Sequence, residues 1–460
     1  MTSIDLTRPM PIHIVGIGGA GMSAIAAVLA AMGHDVSGSD LKEGPGIDRL
    51  RVSGIEVAIG HDRDHVGDAA LVAISTAVPA TNSEVRAAEE RGIPVVRRAE
   101  ILAGIAATRR AIAVAGTHGK TTTSSMLALA LREAGLAPSF IIGGDVNEIG
   151  SGAAWSDDGD LFVVEADESD GTFIELPRHG AIVTNVEADH LEHYGGFDEL
   201  RAAFDRFVTE TTGPVVVGVD DEGGRRLAAD HPSVITYGEA TDADYRMVGL
   251  ESTRSGVRFG LEHEATSLGV IDLAVPGRHN AQNAAAAAVT ALRYDAGFDA
   301  VADALARYAG VARRYEYRGE AQGITFVDDY AHLPTEVAAA LATARDGEWP
   351  RVVCVFQPHR YSRTQEVGRQ FGPGFAAADH VVVTEIYAAG EAPRPGVSGQ
   401  MVADTARTEN PDLPVDFVAH RTELIDHLLA LLRPGDLCLT LGAGDLSSLP
   451  DDLLQRLGQS

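Results

Sequence analysis

The chain has 460 residues, 45% hydrophobic and 22% charged, enough apolar side chain to bury several cores, so disorder is excluded as its main state. With 66 acidic against 37 basic residues its net charge is −29, a surface that repels nucleic acid and anionic membrane. No apolar run approaches the roughly 18 residues of a membrane span, and the start MTSIDLTRPMPIHIVGIGG lacks the basic region of a secretion signal. Cys354 and Cys438 are the only cysteines, each inside an aliphatic run, which excludes a disulfide framework and predicts a reducing cytoplasm.

The first hundred residues alternate aliphatic runs with helical stretches. Pro11–Val15 reads as a buried strand, and Met22–Met32 as a helix closed by Gly33, because glycine tolerates the left-handed conformation at a helix end. Asp35–Ser39 and Leu71–Ser75 are further strands, and the alternation predicts a parallel sheet covered by helices. Between the first strand and helix, Gly16, Gly18, Gly19, Ala20 and Gly21 fit G-x-G-x-x-G, a loop that holds the diphosphate of a dinucleotide or a nucleotide sugar. The second strand ends at Gly38, Ser39 and Asp40, and Asp40 lies about 20 residues past the loop, where a ribose-binding carboxylate is expected. Glycines at this spacing also serve plain helix–strand packing, and both NAD and a UDP-linked sugar stay open from this stretch alone.

A second cycle starts at Arg110. RRAIAVAG runs into Gly116, Thr117, His118, Gly119, Lys120 and Thr121, followed by a helix closed at Gly135. Such a turn offers backbone N–H groups and the helix dipole to phosphate oxygens. Lys120 would sit on the β- and γ-phosphates and the Thr121 hydroxyl would ligate Mg²⁺. Val114 stands where the full Walker pattern has glycine, and a Gly-Lys turn also starts helices that bind nothing. The strand before, the helix after, and a lysine where the only other is Lys42 favour a nucleoside triphosphate. DLFVVEAD and GAIVTNVEAD end on Glu165, Asp167 and Glu168 and on Glu187, Asp189 and His190, where the Mg²⁺ partner of a phosphate loop is found, although acidic caps are common at strand ends. His190 and His193 have a spacing that could suit zinc, but the Cys-free, carboxylate-rich setting favours Mg²⁺. Asp242–Pro276 alternates in short segments, predicting a small antiparallel insert, and helices follow over Asn280–Tyr294 and Phe298–Tyr308. The amides that open the first of these could reach a purine, though Asn280 is equally an ordinary N-cap.

A third cycle begins near Gly310, with strands at Ile324–Val327, Arg351–Phe356, His380–Thr384 and Asp436–Leu441. The first ends in Asp328, Asp329, Tyr330, Ala331 and His332, the second in Gln357, Pro358, His359 and Arg360, with Arg363 three residues on. Arginine grips carboxylate bidentately, so these two loops form a candidate site for an acceptor carboxylate. The chain thus predicts three consecutive α/β domains, residues 1–106, 107–311 and 312–460. Two phosphate loops in one chain imply one nucleotide to consume and another as a handle.

GIGGAGMS, GTHGKTTT, EADESD, EADH, GRHNAQN, ARRYE, DDYAHLP and QPHRYSRT occur in one order across nearly the whole chain, and together they resemble the Mur ligase family, closest to its alanine-adding branch. The resemblance implies a Rossmann-like N-terminal domain binding a UDP-sugar, a P-loop ATPase-like central domain and a Rossmann-like C-terminal domain for the incoming amino acid. It implies a cytoplasmic step of peptidoglycan precursor synthesis. In the reaction it implies, the lactyl carboxylate of UDP-N-acetylmuramate attacks the γ-phosphate of ATP, and the L-alanine amine then attacks the acyl phosphate.

Carried over by this likeness, Gly16, Gly18, Gly19, Ala20, Gly21, Met22, Ser39 and Asp40 fall to the UDP-sugar, and Gly116, Thr117, His118, Gly119, Lys120, Thr121 and Thr122 to ATP. Asn280, Asn283, Arg314 and Asp329 join the ATP side, Asp329 at the ribose. Thr121 and Glu165 hold one Mg²⁺, and His190 a second that bridges the γ-phosphate and the sugar's carboxylate. His332, Arg360 and Arg363 lie by the muramic acid and amino acid, while Leu333 stands where a second histidine is expected. Three alternatives compete: a sibling ligase that takes a recycled murein tripeptide, a nicotinamide oxidoreductase built on the first loop, and a non-catalytic nucleotide switch. The second leaves GTHGKTTT unexplained, and the third has no need of the charged loops after residue 310.

Overall fold

A computed structural model describes residues 4–75, 77–169, 171–189 and 191–458. Within them lie three sheets, grouped in two compact units. One unit runs to Val248 and includes Gly260–Ile271 and Gln282–Tyr308; the other holds Gly249–Phe259, Asp272–Ala281 and the chain from Ala309 onward.

The first sheet is wholly parallel, in the order Glu56–Ile59, Asp35–Asp40, Pro11–Val15, Leu71–Ile74, Val95–Arg97. Its order reverses beside Pro11–Val15, so the glycine loop leaving that strand sits at the switch point, where crevices open in doubly wound sheets. Period-2 alternation explains its two faces: Ile12 and Ile14 join one core, Val15 the other. The sequence boundaries hold to within a residue or two, the helix running Ala20–Ala31.

Arg110–Ala115 is central in the second sheet, parallel to Leu161–Glu165 on one side and Gly180–Val183 on the other. The antiparallel insert expected after Asp242 is a pair of tight hairpins, and its strands Tyr245–Thr253, Gly256–His263 and Thr266–Leu273 extend this ten-stranded sheet. Two-residue links force antiparallel pairing, and Glu264 and Ala265, at φ +50° and +58°, form the mirror-image turn that suits strand twist. They join the larger sheet because Tyr245 pairs in parallel with Tyr237, a junction held by Asp244 accepting the Thr236 N–H at 2.8 Å.

The third sheet runs Glu316–Ala321, Ile324–Asp329, Asp436–Leu441, Arg351–Phe356, His380–Val383, Val415–Phe417, parallel except for its first pair. Both faces are covered, which is why its strands read as unbroken aliphatic runs. Val352, Cys354 and Phe356 enter one core, Val353, Val355 and Cys438 the opposite one. The two thiols therefore face opposite sides of the sheet and both are free. No helix among the described residues is long and apolar enough to cross a membrane.

Candidate active site

Three parallel strand ends open side by side in the second sheet, and the middle one leads into the turn Gly116–Gly119. Gly116 and Gly119, at φ +128° and +82°, adopt backbone that L side chains rarely take. A Cβ on Gly116 would meet Thr184 Oγ1, and one on Gly119 would meet Asn283 Oδ1. The neighbouring strand end pins the turn: Asn185 Oδ1 accepts the His118 N–H at 2.8 Å, and Thr117 Oγ1 accepts the Glu187 N–H at 2.9 Å.

Lys120, first in its helix, is folded back over this turn. Its Nζ donates to Gly116 O at 2.7 Å and to the Glu168 oxygens at 3.0 and 2.8 Å. Burial works against the lysine charge, but the carboxylates of Glu168, Asp167 and Glu165 outweigh it and raise its pKa. Burial also pushes Glu168 up, to about 7, against the pull of Lys120. Thr121 Oγ1 donates to Glu165 at 3.0 Å, and the Gly143 N–H donates to the same carboxylate at 2.8 Å. A partly buried ammonium beside an all-oxygen pair is suited to polyphosphate with a hard cation.

The N-terminal loop is held from the second strand. Gly16 N–H and Ile17 N–H donate to Ser39 O at 2.8 and 3.1 Å, and Gly18 N–H to Asp40 Oδ2 at 2.9 Å. Ser39 Oγ donates at 2.5 Å to Glu84, which is fully buried. Burial opposes the Glu84 charge, yet bonds from His13, Ser39 and His65 outweigh it and hold its pKa down at about 2. Arg98 lies against Gly21, its Nε 2.9 Å from where a Cβ would stand.

In the other unit, candidate residues follow the carboxyl ends of the third sheet's parallel strands. Arg314 lies between Arg313 and Tyr315, both left-handed at φ +63° and +48°. Asp329 over-determines that strain: its oxygens accept the Tyr315 and Ala331 N–H groups, each at 2.7 Å. Burial raises Asp329 to about 6, with Arg314 pulling the other way. The rings of His332 and His359 are 5.9 Å apart, and Arg363 Nη1 is 3.5 Å from His359 Nδ1. Burial, then His332, Arg363 and Arg360, depress His359 to about 4. Arg360 is itself left-handed at φ +65°, its N–H donating to Tyr387 O at 2.8 Å. Gln357 bridges to Asp445 at 2.9 Å, so the next strand end closes the same cluster.

Family models match in chain order: the "Mur ligase family, catalytic domain" over residues 11–110, the "Mur ligase middle domain" over 114–291, and the "Mur ligase, glutamate ligase domain" over 313–444. A protein of Acidothermus cellulolyticus named UDP-N-acetylmuramate–L-alanine ligase is 45% identical, covering 99% of this chain and 98% of that one. The chain belongs to the Mur ligase family. The solved UDP-N-acetylmuramate–alanine ligase of Thermotoga maritima superposes at a TM-score of 0.82 with 30% identity, over 98% of this chain and 99% of that one. A murein peptide ligase of Psychrobacter arcticus gives 0.70 and 25%, again over 98% and 99%.

For this Mur ligase the fold is three-domain α/β, and the sequence-predicted residues fall into local groups. Lys120, Thr121 and Glu165 converge, and Asn283 meets Gly119 while accepting from Thr123 Oγ1 at 3.2 Å. Asn280 donates to Pro276 O at 2.7 Å, securing its own helix start. Asp40, expected at a ribose, braces the glycine loop, and Asp329 braces the segment carrying Arg314. Leu333 is buried as the N-cap of the helix Pro334–Asp346. His190 lies outside the described residues. Sequence reading missed Arg98 and Glu84, which no motif marks, and undervalued Glu168, whose only signal is a third acid after a strand end.

Proposed function

We propose that this protein is an ATP-dependent ligase joining L-alanine to the lactyl carboxylate of UDP-N-acetylmuramate in the cytoplasmic synthesis of peptidoglycan precursors. The ATP half rests on one observation: a partly buried lysine in a glycine turn, one residue before a threonine bonded to a carboxylate. The choice of alanine rests on the relatives, which are named for that reaction and match over the full length.

The domains run over residues 1–106, 107–311 and 312–460. Gly16, Gly18, Gly19, Ala20, Gly21, Met22, Ser39 and Asp40 form the UDP-sugar site. Gly116, Thr117, His118, Gly119, Lys120, Thr121 and Thr122 cradle the triphosphate, with Asn280, Asn283, Arg314 and Asp329 completing the ATP side. The Thr121 hydroxyl and Glu165 carboxylate, 3.0 Å apart, are the donors a hard cation takes, so these residues fit Mg²⁺. His190 would serve a second ion. Bound there, Mg²⁺ would offset charge between the phosphates and the sugar's carboxylate.

A lactyl oxygen attacks the γ-phosphorus, the bond to the β-phosphate oxygen breaks, and ADP leaves with that electron pair. Lys120 cancels charge where two anions meet, an effect of preorganised electrostatics rather than of a nucleophilic side chain. The alanine amine then attacks the acyl carbon, and the tetrahedral intermediate expels inorganic phosphate while the amine loses its proton. His332, Arg360 and Arg363 orient the two carboxylates, and His359, held neutral by burial, leaves the cationic work to the arginines.

The test is incubation with ATP, Mg²⁺, UDP-N-acetylmuramate and single amino acids, reading product mass. UDP-N-acetylmuramoyl-L-alanine is expected. A strong preference for L-Ala-γ-D-Glu-diaminopimelate over free alanine would overturn the assignment in favour of a ligase that takes a murein peptide, as the Psychrobacter structure is named.

A further inference from the structure

On the third sheet, away from the strand ends that carry the candidate acceptor groups, three potential metal ligands converge. His380 opens the strand His380–Val383, Asp416 is central in the edge strand Val415–Phe417, and His427 projects from the helix Arg421–Leu431. Register brings the first two together: Asp416 pairs with Val382, and His380, two residues earlier, shares the face of Val382. That face is covered by the third element, whose Leu424 and Leu428 pack with Val382 in one core. Three rigid elements therefore deliver the three side chains.

Both imidazoles present Nε2 to the same carboxylate oxygen, His380 at 2.8 Å and His427 at 3.0 Å from Asp416 Oδ2. All three donor atoms lie within 4.8 Å of one another. A tetrahedral zinc with bonds near 2.0–2.1 Å separates its ligand atoms by about 3.4 Å, so small side-chain rotations would admit an ion. Two imidazoles and one carboxylate suit a borderline-soft divalent ion and discriminate against Mg²⁺, which takes oxygen. His380 is 13% exposed and His427 34%, leaving a path for an ion and an open position for water.

We propose that His380, Asp416 and His427 form a structural site for a divalent transition-metal ion of the zinc class, clamping the edge strand Val415–Phe417 to the helix Arg421–Leu431. The ion serves the fold rather than the reaction. His380 begins its strand, whereas Arg360, Arg363 and His332 follow the carboxyl ends of theirs.

The test uses the full chain stripped by chelator and dialysed against Zn²⁺ in the presence of excess Mg²⁺. One zinc per chain is expected to remain, with a raised melting temperature, and Co²⁺ in its place should give the intense visible bands of tetrahedral coordination. His427→Ala and Asp416→Asn should each lose the zinc, the melting shift and the Co²⁺ bands, while keeping the unliganded circular dichroism spectrum. Zinc retained equally by His427→Ala, no zinc retained by the unmutated chain, or no tetrahedral Co²⁺ bands would each overturn the proposal. Because the Co²⁺ spectrum is read on the unmutated protein, the outcome does not depend on the variants folding.

Discussion

Replacing Lys120 by methionine separates two consequences of one charge. At 2.8 Å and an effective dielectric near 20, the Lys120–Glu168 attraction is about 6 kcal/mol. Deleting one partner of such a buried pair costs roughly 3–5 kcal/mol when the other stays charged. Glu168 has a way out, because burial already lifts its pKa to about 7 and loss of the ammonium lifts it further, so it takes up a proton. A folded-state pKa above the unfolded one gives stability that is fully present below the ordinary carboxylate range and lost as pH rises. In Lys120→Met this single proton makes stability fall by up to about 1.4 kcal/mol per pH unit from the ordinary carboxylate range up to the raised folded-state pKa. Lys120→Met/Glu168→Gln carries a neutral amide instead, so that part of the slope disappears and the melting temperature at pH 8 recovers. Activity does not recover: without the Lys120 ammonium on the phosphates, ATP-dependent ligation should fall about 10³-fold in both variants, some 4 kcal/mol of transition-state stabilisation. UDP-sugar binding should stay within about twofold, because the bonds of the N-terminal loop run to Ser39 and Asp40. Urea unfolding at several pH values, phosphate release and calorimetry with the UDP-sugar read the three quantities. Equal pH slopes in the two variants would refute the electrostatic account, and parallel loss of UDP-sugar binding would refute the division of labour between the loops.

Three further outcomes follow from the same geometry. Gly119→Ala places a Cβ on a left-handed residue against Asn283 Oδ1, so it should lose about 1–2 kcal/mol of stability and raise the KM for ATP, read by thermal melts and phosphate release. Glu84 is depressed to about 2, so its contribution of roughly 3 kcal/mol is present above the ordinary carboxylate pKa and lost as pH falls towards 2; Glu84→Gln should flatten acid unfolding in that window and raise the KM for UDP-sugar without changing that for ATP. His359, held down at about 4, should show no imidazole titration between pH 5.5 and 8 by NMR, and a titration near 6.5 would contradict its burial among His332, Arg360 and Arg363.

What could be read from the sequence was whatever the local chain decides. Arg351–Phe356 and Asp436–Leu441 were bounded to the residue because parallel strands covered on both faces are unbroken aliphatic runs. The Lys120 turn was readable because strand, glycines and helix are contiguous. What escaped is brought in by tertiary register. Asn185 and Thr184 hold the phosphate turn from a strand that begins some 60 residues later, and Glu84 reaches Ser39 across 45 residues with no motif of its own. The left-handed Arg313, Tyr315 and Arg360 are likewise silent in sequence, since no glycine marks them; each is held by a backbone or carboxylate partner from another segment.

The same division bears on the acidic residues. Spacing points Asp40 to a ribose and the family likeness points Asp329 to one; each also accepts backbone N–H groups, and Glu84 is fully buried, accepting from Ser39 beside Asp40. A carboxylate that accepts amide hydrogens from a strained or glycine-rich segment fixes that segment's shape, and a loop fixed in advance loses less entropy when a phosphate docks. Asp40 does this for the N-terminal loop and Asp329 for the segment carrying Arg314, while Glu84 acts one step removed, through Ser39. In a chain of net charge −29, such acids are tolerable beside the proposed phosphate sites because their charge is turned inward, onto amides and imidazoles. The corresponding substitution, Asp329→Asn, keeps one acceptor oxygen but replaces the other with a donor facing the Tyr315 N–H. It should therefore release the strained Arg313–Tyr315 backbone and weaken ATP binding through Arg314, an effect that Asp329→Glu would not rescue, because its longer side chain cannot keep both 2.7 Å bonds.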